Sequence, residues 1–370
     1  MPHPQLDPQQ LHVRPLAERR SKSAIEDILI DPEQTPGAAP QLQPLVEETA
    51  RRILAAREKK SSVILAFGAH LVKNGCAGFL IKMMERGWLT HLATNGAGAI
   101  HDWEFAFHGR SEEDVQANVA QGCFGAWDET GRFLNWAVQA GAVNGLGYGE
   151  SIGEMIVRDG LTFPAVRALQ EVIAAGIDAP HPLLAAQAEL LHTLTHFDIP
   201  AGFLAIAHPW KHHSIFGRAV RLGVPVTVHS GIGYDIIYNH PCANGAALGR
   251  GSHTDFKIFA HSVAGLQDGV FLSIGSAIMA PQIFEKALSA VNNLRIQNGE
   301  KPVSGHLMVV NDLQQSTWDW SRGEPPKNTP DYYLRFLKSF HRMGGTVGYV
   351  AVDNRMLLHH LYDRLKTLTA

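Results

Sequence analysis

Six short apolar runs constrain this chain more than any other feature. They are residues 62–67 (SVILAF), 90–94, 224–229, 269–274, 306–310 and 346–351, and most run into glycine, asparagine or aspartate and then a helical pattern. A run too short for a helix and apolar throughout reads as a strand buried on both faces. Such strands, separated by helices, belong to a parallel sheet covered on both sides. Helices are expected at 43–58, 71–86, from near Ile100, and at 253–265, 281–294, 330–342 and 354–367. Others are expected at 111–122, 130–141, 149–157 and 183–197. The fold class predicted is α/β: a mostly parallel open sheet of about six strands, Rossmann-like, with helices on both faces. A helical insertion occupies about 105–222, and the Pro- and Gln-rich residues 1–42 read as an extended N-terminal arm. Residues 43–370 are expected to form a single α/β nucleotide-binding-type domain.

Composition excludes several classes. The net charge is −3 with no basic block, which argues against nucleic acid and anionic membranes as partners. No apolar run reaches the roughly 18–20 residues that span a bilayer, and the N-terminus lacks the apolar region of a secretory signal. Cys76, Cys123 and Cys242 are widely spaced and form no CxxC pair. They read as reduced thiols of a cytoplasmic protein.

In an open α/β sheet the ligand lies beyond the carboxyl ends of the strands, so the junctions carry the candidate site. The first offers Gly68, His70 and Lys73. At the second, Thr94, Asn95, Gly96, Ala97 and Gly98 suit a backbone nest for an anion, although the strict G-x-G-x-x-G is absent. His101, Asp102 and Glu104 follow as candidates for ribose contact or acid–base work, or as ordinary charges at a helix start. Gly145-x-Gly147-x-Gly149 opens another helix with small residues. The strand at 224–229 ends in His229, Ser230, Gly231, Gly233 and Asp235. His229 is the leading candidate proton carrier, with Asp235 beside it. The loop expected at 240–256 would cover the same crevice. Gly275 and Ser276 close the fourth strand, and Lys286 on the next helix is either a nucleophile or a solvated helix lysine. Asn311, Asp312, Asp353 and Asn354 end the last two strands. A separate cluster, His208, His212 and His213 in HPWKHHSIF, raises the alternative of a metal-dependent hydrolase.

These junctions resemble the deoxyhypusine synthase-like NAD/FAD-binding fold. RLGVPVTVHSGIGYDII resembles the family's strand leading into a D-G-S-hydrophobic-G-D turn. ATNGAGAIHDWE resembles its T-A-G-G-hydrophobic-x-E-D turn, which contacts NAD, and VILAFGAHLVKNG stands where the family has an earlier cofactor loop. The likeness runs over roughly residues 60–300. Where the family has an acidic D-G-S-D segment, this chain has Gly275-Ser276-Ala277-Ile278. Where it has W-G-K-I around its catalytic lysine, this chain has Phe284-Glu285-Lys286-Ala287. The resemblance therefore implies an NAD site more than protein-lysine transfer, as in a divergent bacterial branch. A related archaeal group linked to ornithine cyclisation points the same fold towards small amines and amino acids. The expected function is an NAD-dependent enzyme, a transferase, oxidoreductase or lyase, acting on a small amine or amino-acid-like substrate. The alternatives are the hydrolase above and a non-catalytic nucleotide-binding protein. The resemblance also implies a homo-oligomer, a tetramer or dimer.

Overall fold

The computed structural model describes residues 3–370, so the first two residues of the expected arm lie outside it. The chain divides into two compact units. A sheet unit comprises residues 28–98, 222–229 and 256–370, and a helical unit comprises residues up to 27, 99–221 and 230–255. The arm expected over 1–42 is thus shared between the two, and the insertion expected at 105–222 falls within the helical unit's longest segment apart from its last residue.

The sheet unit holds six parallel strands among the described residues: β1 Val63–Phe67, β2 His91–Thr94, β3 Val226–Val228, β4 Val270–Ile274, β5 Leu307–Asp312 and β6 Thr346–Ala351. All six coincide with the apolar runs to within two residues at each end. Their spatial order is β3-β2-β1-β4-β5-β6. This is the doubly wound order, in which the direction of build-up reverses between β1 and β4. Registers such as Val63 opposite Val270 and Ile64 opposite His91 leave every residue of β1 and β4 buried. That explains why these strands are apolar throughout rather than alternating. The edge strand β6 is exposed or half-buried along its whole length, and Asp312 at the end of β5 is half-buried. On one face the core is aromatic, with Phe271 and Phe284 stacked at 4.3 Å and Phe259, Phe336 and Phe340 around them. Helices Gln43–Glu58, Ala77–Glu85 and Asn354–Leu368 supply the other layer.

Several helices depart from expectation. The helix expected at 71–86 is two, Ala69–Lys73 and Ala77–Glu85, broken at Gly75, where φ is +75°. The helix expected from Ile100 begins at Gly96. Residues 240–256 are not all loop, because helix Gly245–Ala264 starts inside them. Asn244 Oδ1 accepts from Ala247 N and acts as its N-cap. Helices Val166–Asp178 and Ile215–Leu222 and two small antiparallel ribbons, Ser23–Ala24 with Arg110–Ser111 and Gly160–Phe163 with Gly202–Ala205, were not legible in the sequence. No helix among the described residues is long and apolar enough to cross a membrane.

The helical unit is tied together by one buried ion pair. Arg19 meets both carboxylate oxygens of Glu104 at 2.7 and 2.8 Å, with side chains 3% and 1% exposed. Thr130 and Ser111 donate to the same carboxylate. Burial alone would raise the pKa of Glu104, but the Arg19 charge and these bonds reverse that, and it lies below the usual range. Arg19→Ala should therefore cost about 3–5 kcal/mol, because it leaves an uncompensated buried carboxylate. Denaturant unfolding checks this, and the double variant with Glu104→Ala should cost less than the two single losses summed.

Candidate functional site

The reversal between β1 and β4 sets the first feature of the carboxyl edge. Gly68 N donates to Ile274 O at 3.3 Å, and a Cβ on Gly68 would lie 2.2 Å from the Gly275 carbonyl oxygen. Gly275 itself has φ +58°, a conformation that favours glycine. These two glycines therefore serve each other first, letting the strand-end loops close up. Ser276 is buried, and its hydroxyl accepts from Ala280 N at the start of helix Met279–Gln297.

Beside this junction lies a cavity of about 260 Å³. It is built from the ends of β1, β4, β5 and β6, and His70, Asn74, Gly275, Asn311, Asp312 and Asn354 are among its lining residues. Its walls are held from within. Asn311 Nδ2 donates to Val352 O at 2.8 Å, and Asn74 Nδ2 donates to Asn354 Oδ1 at 2.9 Å. Asp353 also lines the cavity and caps helix Asn354–Leu368 by accepting from Arg355 N. Its bond to the Arg355 guanidinium holds its pKa below the usual range. Three amides, two carboxylates and an exposed imidazole make a neutral-to-acidic donor and acceptor set. That chemistry suits hydroxyl groups and heteroaromatic edges better than phosphates. Asn74 was missed in the sequence because it lies six residues past Gly68, at the break of a helix expected to be continuous.

At the second junction Asn95 acts on its own helix. Its Oδ1 accepts from Gly98 N at 2.9 Å, so that N–H is not available to a nest. Gly98 is glycine for a local reason: a Cβ there would lie 2.1 Å from Thr94 Oγ1, which donates to Phe67 O. The N–H groups of Gly96 and Ala97 precede it in the first turn, where no intrahelical acceptor exists.

At the end of β3, His229 is 8% exposed. Its Nε2 lies 3.0 Å from Thr227 Oγ1, and its backbone N donates to Thr94 O. Burial pushes its pKa down to about 3, so the ring is neutral at neutral pH. The expected proton carrier is therefore not a group poised near neutrality. Lys286, expected as a possible nucleophile, is an exposed helix lysine bonded to Glu285 at 2.9 Å. It is solvated, whereas a nucleophilic lysine is commonly held desolvated in an apolar pocket.

The remaining candidates belong to the helical unit. Asp102 is buried and caps helix Ile215–Leu222, accepting from Ser214 Oγ, Ile215 N and Phe216 N. Burial pushes its pKa up to about 6 against those bonds. Both oxygens of Asp102 and of Glu104 are already engaged by partners within the helical unit. His101 Nδ1 lies 2.7 Å from Ser111 Oγ. Gly231 N donates to Asp235 Oδ2 at 2.6 Å, which closes the turn in which Gly233 has φ +93°. Asp235 is buried, and its pKa is raised by that burial. The glycines at 145–149 admit an internal carboxylate: Asp255 Oδ2 accepts from Gly149 N, and a Cβ on Gly147 would lie 1.8 Å from Asp255 Oδ1. The histidine cluster does not assemble. His208 is buried and accepts from Trp103 Nε1, while the His212 and His213 rings lie 3.8 Å apart. Among the described residues no group of three or more metal-ligating side chains is placed to hold an ion.

No family model matches this chain, and no curated protein matches it. Among solved structures it is similar to ArgZ, an arginine dihydrolase from the ornithine–ammonia cycle in cyanobacteria, at 14% identity and a TM-score of 0.40. It is also similar to AgrE in its ternary complex with ornithine and NAD+, at 14% identity and 0.43. A third is a conserved protein of Methanococcus maripaludis S2 described as LOR/SDH, at 14% and 0.43. These matches cover 88%, 90% and 92% of this chain, and 33%, 34% and 74% of the other chains. The chain thus spans about a third of the length of ArgZ and AgrE.

Buried neutral histidines make the sheet unit acid-sensitive. His91 and His229 are held at about 3 and His306 at about 4, mainly by burial. A folded pKa below the unfolded value of about 6.5 means that the stability is fully present above that pH and is lost as pH falls. At pH 5 each of the three should cost about 2 kcal/mol. Circular dichroism should show unfolding between about pH 6 and 4.5, with uptake of close to three protons.

Proposed function

We propose that this chain is an NAD-dependent enzyme acting on a small amine or amino-acid-like substrate. The observation that carries the nucleotide part is the cavity at the strand-order reversal, assembled from four strand ends. Open α/β sheets bind ligands at that place because helices leave it in opposite directions and open a crevice. The volume of about 260 Å³ is below the roughly 300–1,000 Å³ of sites that enclose a whole drug-sized ligand. It suits one nucleoside half of a dinucleotide. Asn74, Asn311 and Asn354 would bind ribose hydroxyls or a base edge, and Asp312 would accept from a hydroxyl. The first turn of helix Gly96–His108 would face a phosphate through the N–H groups of Gly96 and Ala97. When bound, NAD supplies a hydride acceptor for a C–H bond next to nitrogen. His229 would handle the substrate proton. The amine preference rests on the resemblance at residues 63–75, 93–104 and 221–237.

The same reading makes the protein a cytoplasmic homo-oligomer, a tetramer built from dimers. Cys76, Cys123 and Cys242 are all unpaired and buried, which fits a reducing compartment. Light scattering at micromolar concentration checks the assembly, and a monomer mass would contradict it. For the cofactor, calorimetry should show NAD binding to the wild type. Asn354→Leu should weaken it at least about tenfold, since it removes a polar contact. No heat at millimolar NAD would end the reading.

A further inference from the structure

A line of four polar side chains runs through the apolar interior of the sheet unit. Ser262 Oγ lies 2.8 Å from His91 Nδ1, His91 Nε2 lies 2.9 Å from Thr227 Oγ1, and Thr227 Oγ1 lies 3.0 Å from His229 Nε2. Thr227 and His229 are two residues apart and so share one face of the strand. His91, at the start of the neighbouring strand β2, completes the line. Phe259 lies edge-on to both imidazoles, at 5.5 and 5.3 Å, and holds the rings in place. His91 and Thr227 have no solvent exposure, whereas Ser262 at the outer end is half-buried. Polar groups this deep are costly unless each has partners. A pair of apolar residues would fill the same space without that cost.

We propose that Ser262, His91, Thr227 and His229 form a proton relay from the solvent-reached side of helix Gly245–Ala264 to the carboxyl end of β3, working by coupled tautomer exchange. The proposal rests on the reading of His229 as the proton-handling group. Every member can both donate and accept, so the line has two complete polarities. In the inward polarity, Ser262 donates to His91 Nδ1, His91 Nε2–H donates to Thr227, Thr227 donates to His229 Nε2, and His229 carries its proton on Nδ1. In the outward polarity, His229 Nε2–H donates to Thr227, Thr227 donates to His91 Nε2, His91 Nδ1–H donates to Ser262, and Ser262 donates to water. A proton accepted at His229 Nδ1 in the outward polarity moves one proton along each link and releases one from Ser262. The line is then in the inward polarity. No bond other than O–H and N–H changes, and the charge of the line is the same before and after.

This route removes the conflict between His229 as a proton carrier and its burial. Both imidazoles are held at about 3, so neither stores a proton as imidazolium at neutral pH. Tautomer exchange passes a proton on without storing one. His91, Thr227 and Ser262 are thereby positioning residues, and only His229 would touch the reacting group.

The test uses the full chain with ¹⁵N-labelled histidine. Nuclear magnetic resonance reads the exchange of the His91 and His229 ring protons with water and the nitrogen shifts that report tautomer. In the wild type at pH 7, above the acid transition, both rings should be neutral and should exchange far faster than the protein unfolds. Ser262→Ala, at the half-buried end, should slow both by about tenfold or more, the scale of one broken link. Thr227→Val should slow His229 alone, and Thr227→Ser should restore it. Wild-type ring protons that exchange only on unfolding would overturn the relay. So would exchange unaffected by Ser262→Ala, or imidazolium shifts at His229 in the folded protein at pH 7. Wild-type calorimetry separates the two proposals, because absence of NAD binding removes the cofactor reading and leaves these exchange rates unchanged.

Discussion

The sheet unit depends on the parallel pairing of β1 with β4. The chain leaves β1 to build β2 and β3 on one side, then returns to lay β4 against the other side of β1. Both strands are buried along their whole length, so their position is set by the core and not by the loops. The loops must then fit the spacing the strands impose. Gly68 and Gly275 allow this, one by lacking a Cβ and the other by adopting positive φ. Any side chain at residue 68 would meet the Gly275 carbonyl and push the two strand ends apart, and the wall of the neighbouring cavity with them.

A helix start that could bind an external anion can equally be filled by the protein's own carboxylate. The helical unit takes the second course twice. Asp102 sits on the start of helix Ile215–Leu222, and Asp255 sits on the start of helix Tyr148–Arg158. Asn95 does the same for its own helix in the sheet unit. The physical cause is common to both uses: N–H groups without intrahelical acceptors and the positive end of the helix dipole. A glycine-rich turn is needed whichever anion approaches, so G-x-G-x-G at 145–149 could not show which it was.

The histidines follow from burial in the same way. Twenty histidines suggest acid–base or metal chemistry, yet five of those described are nearly solvent-free and held at pKa values of about 3 or 4. A neutral imidazole donates at one nitrogen and accepts at the other, which makes it a connector for buried hydroxyls. His91 between Ser262 and Thr227 is the clearest case.

From the sequence alone, the fold class, all six strands and the helix at 43–58 could be read. Each depends on local periodicity and on glycine punctuation, which neighbours in sequence carry. Gly275, His70, Asn311, Asp312 and Asn354 were reachable because they end strands, and strand ends share one edge of a parallel sheet. The occupants of that edge were not. Whether Glu104 would meet a ribose or Arg19, and whether Lys286 would face a crevice or water, turns on residues 85 positions away or on the rotation of a helix. Asn74, His91, Thr227 and Ser262 carried no local signal, because their roles exist only through partners brought beside them by the sheet. Tertiary structure decided which polar groups satisfy one another, since burial makes an unpartnered one costly and the nearest partner in space is seldom the nearest in sequence.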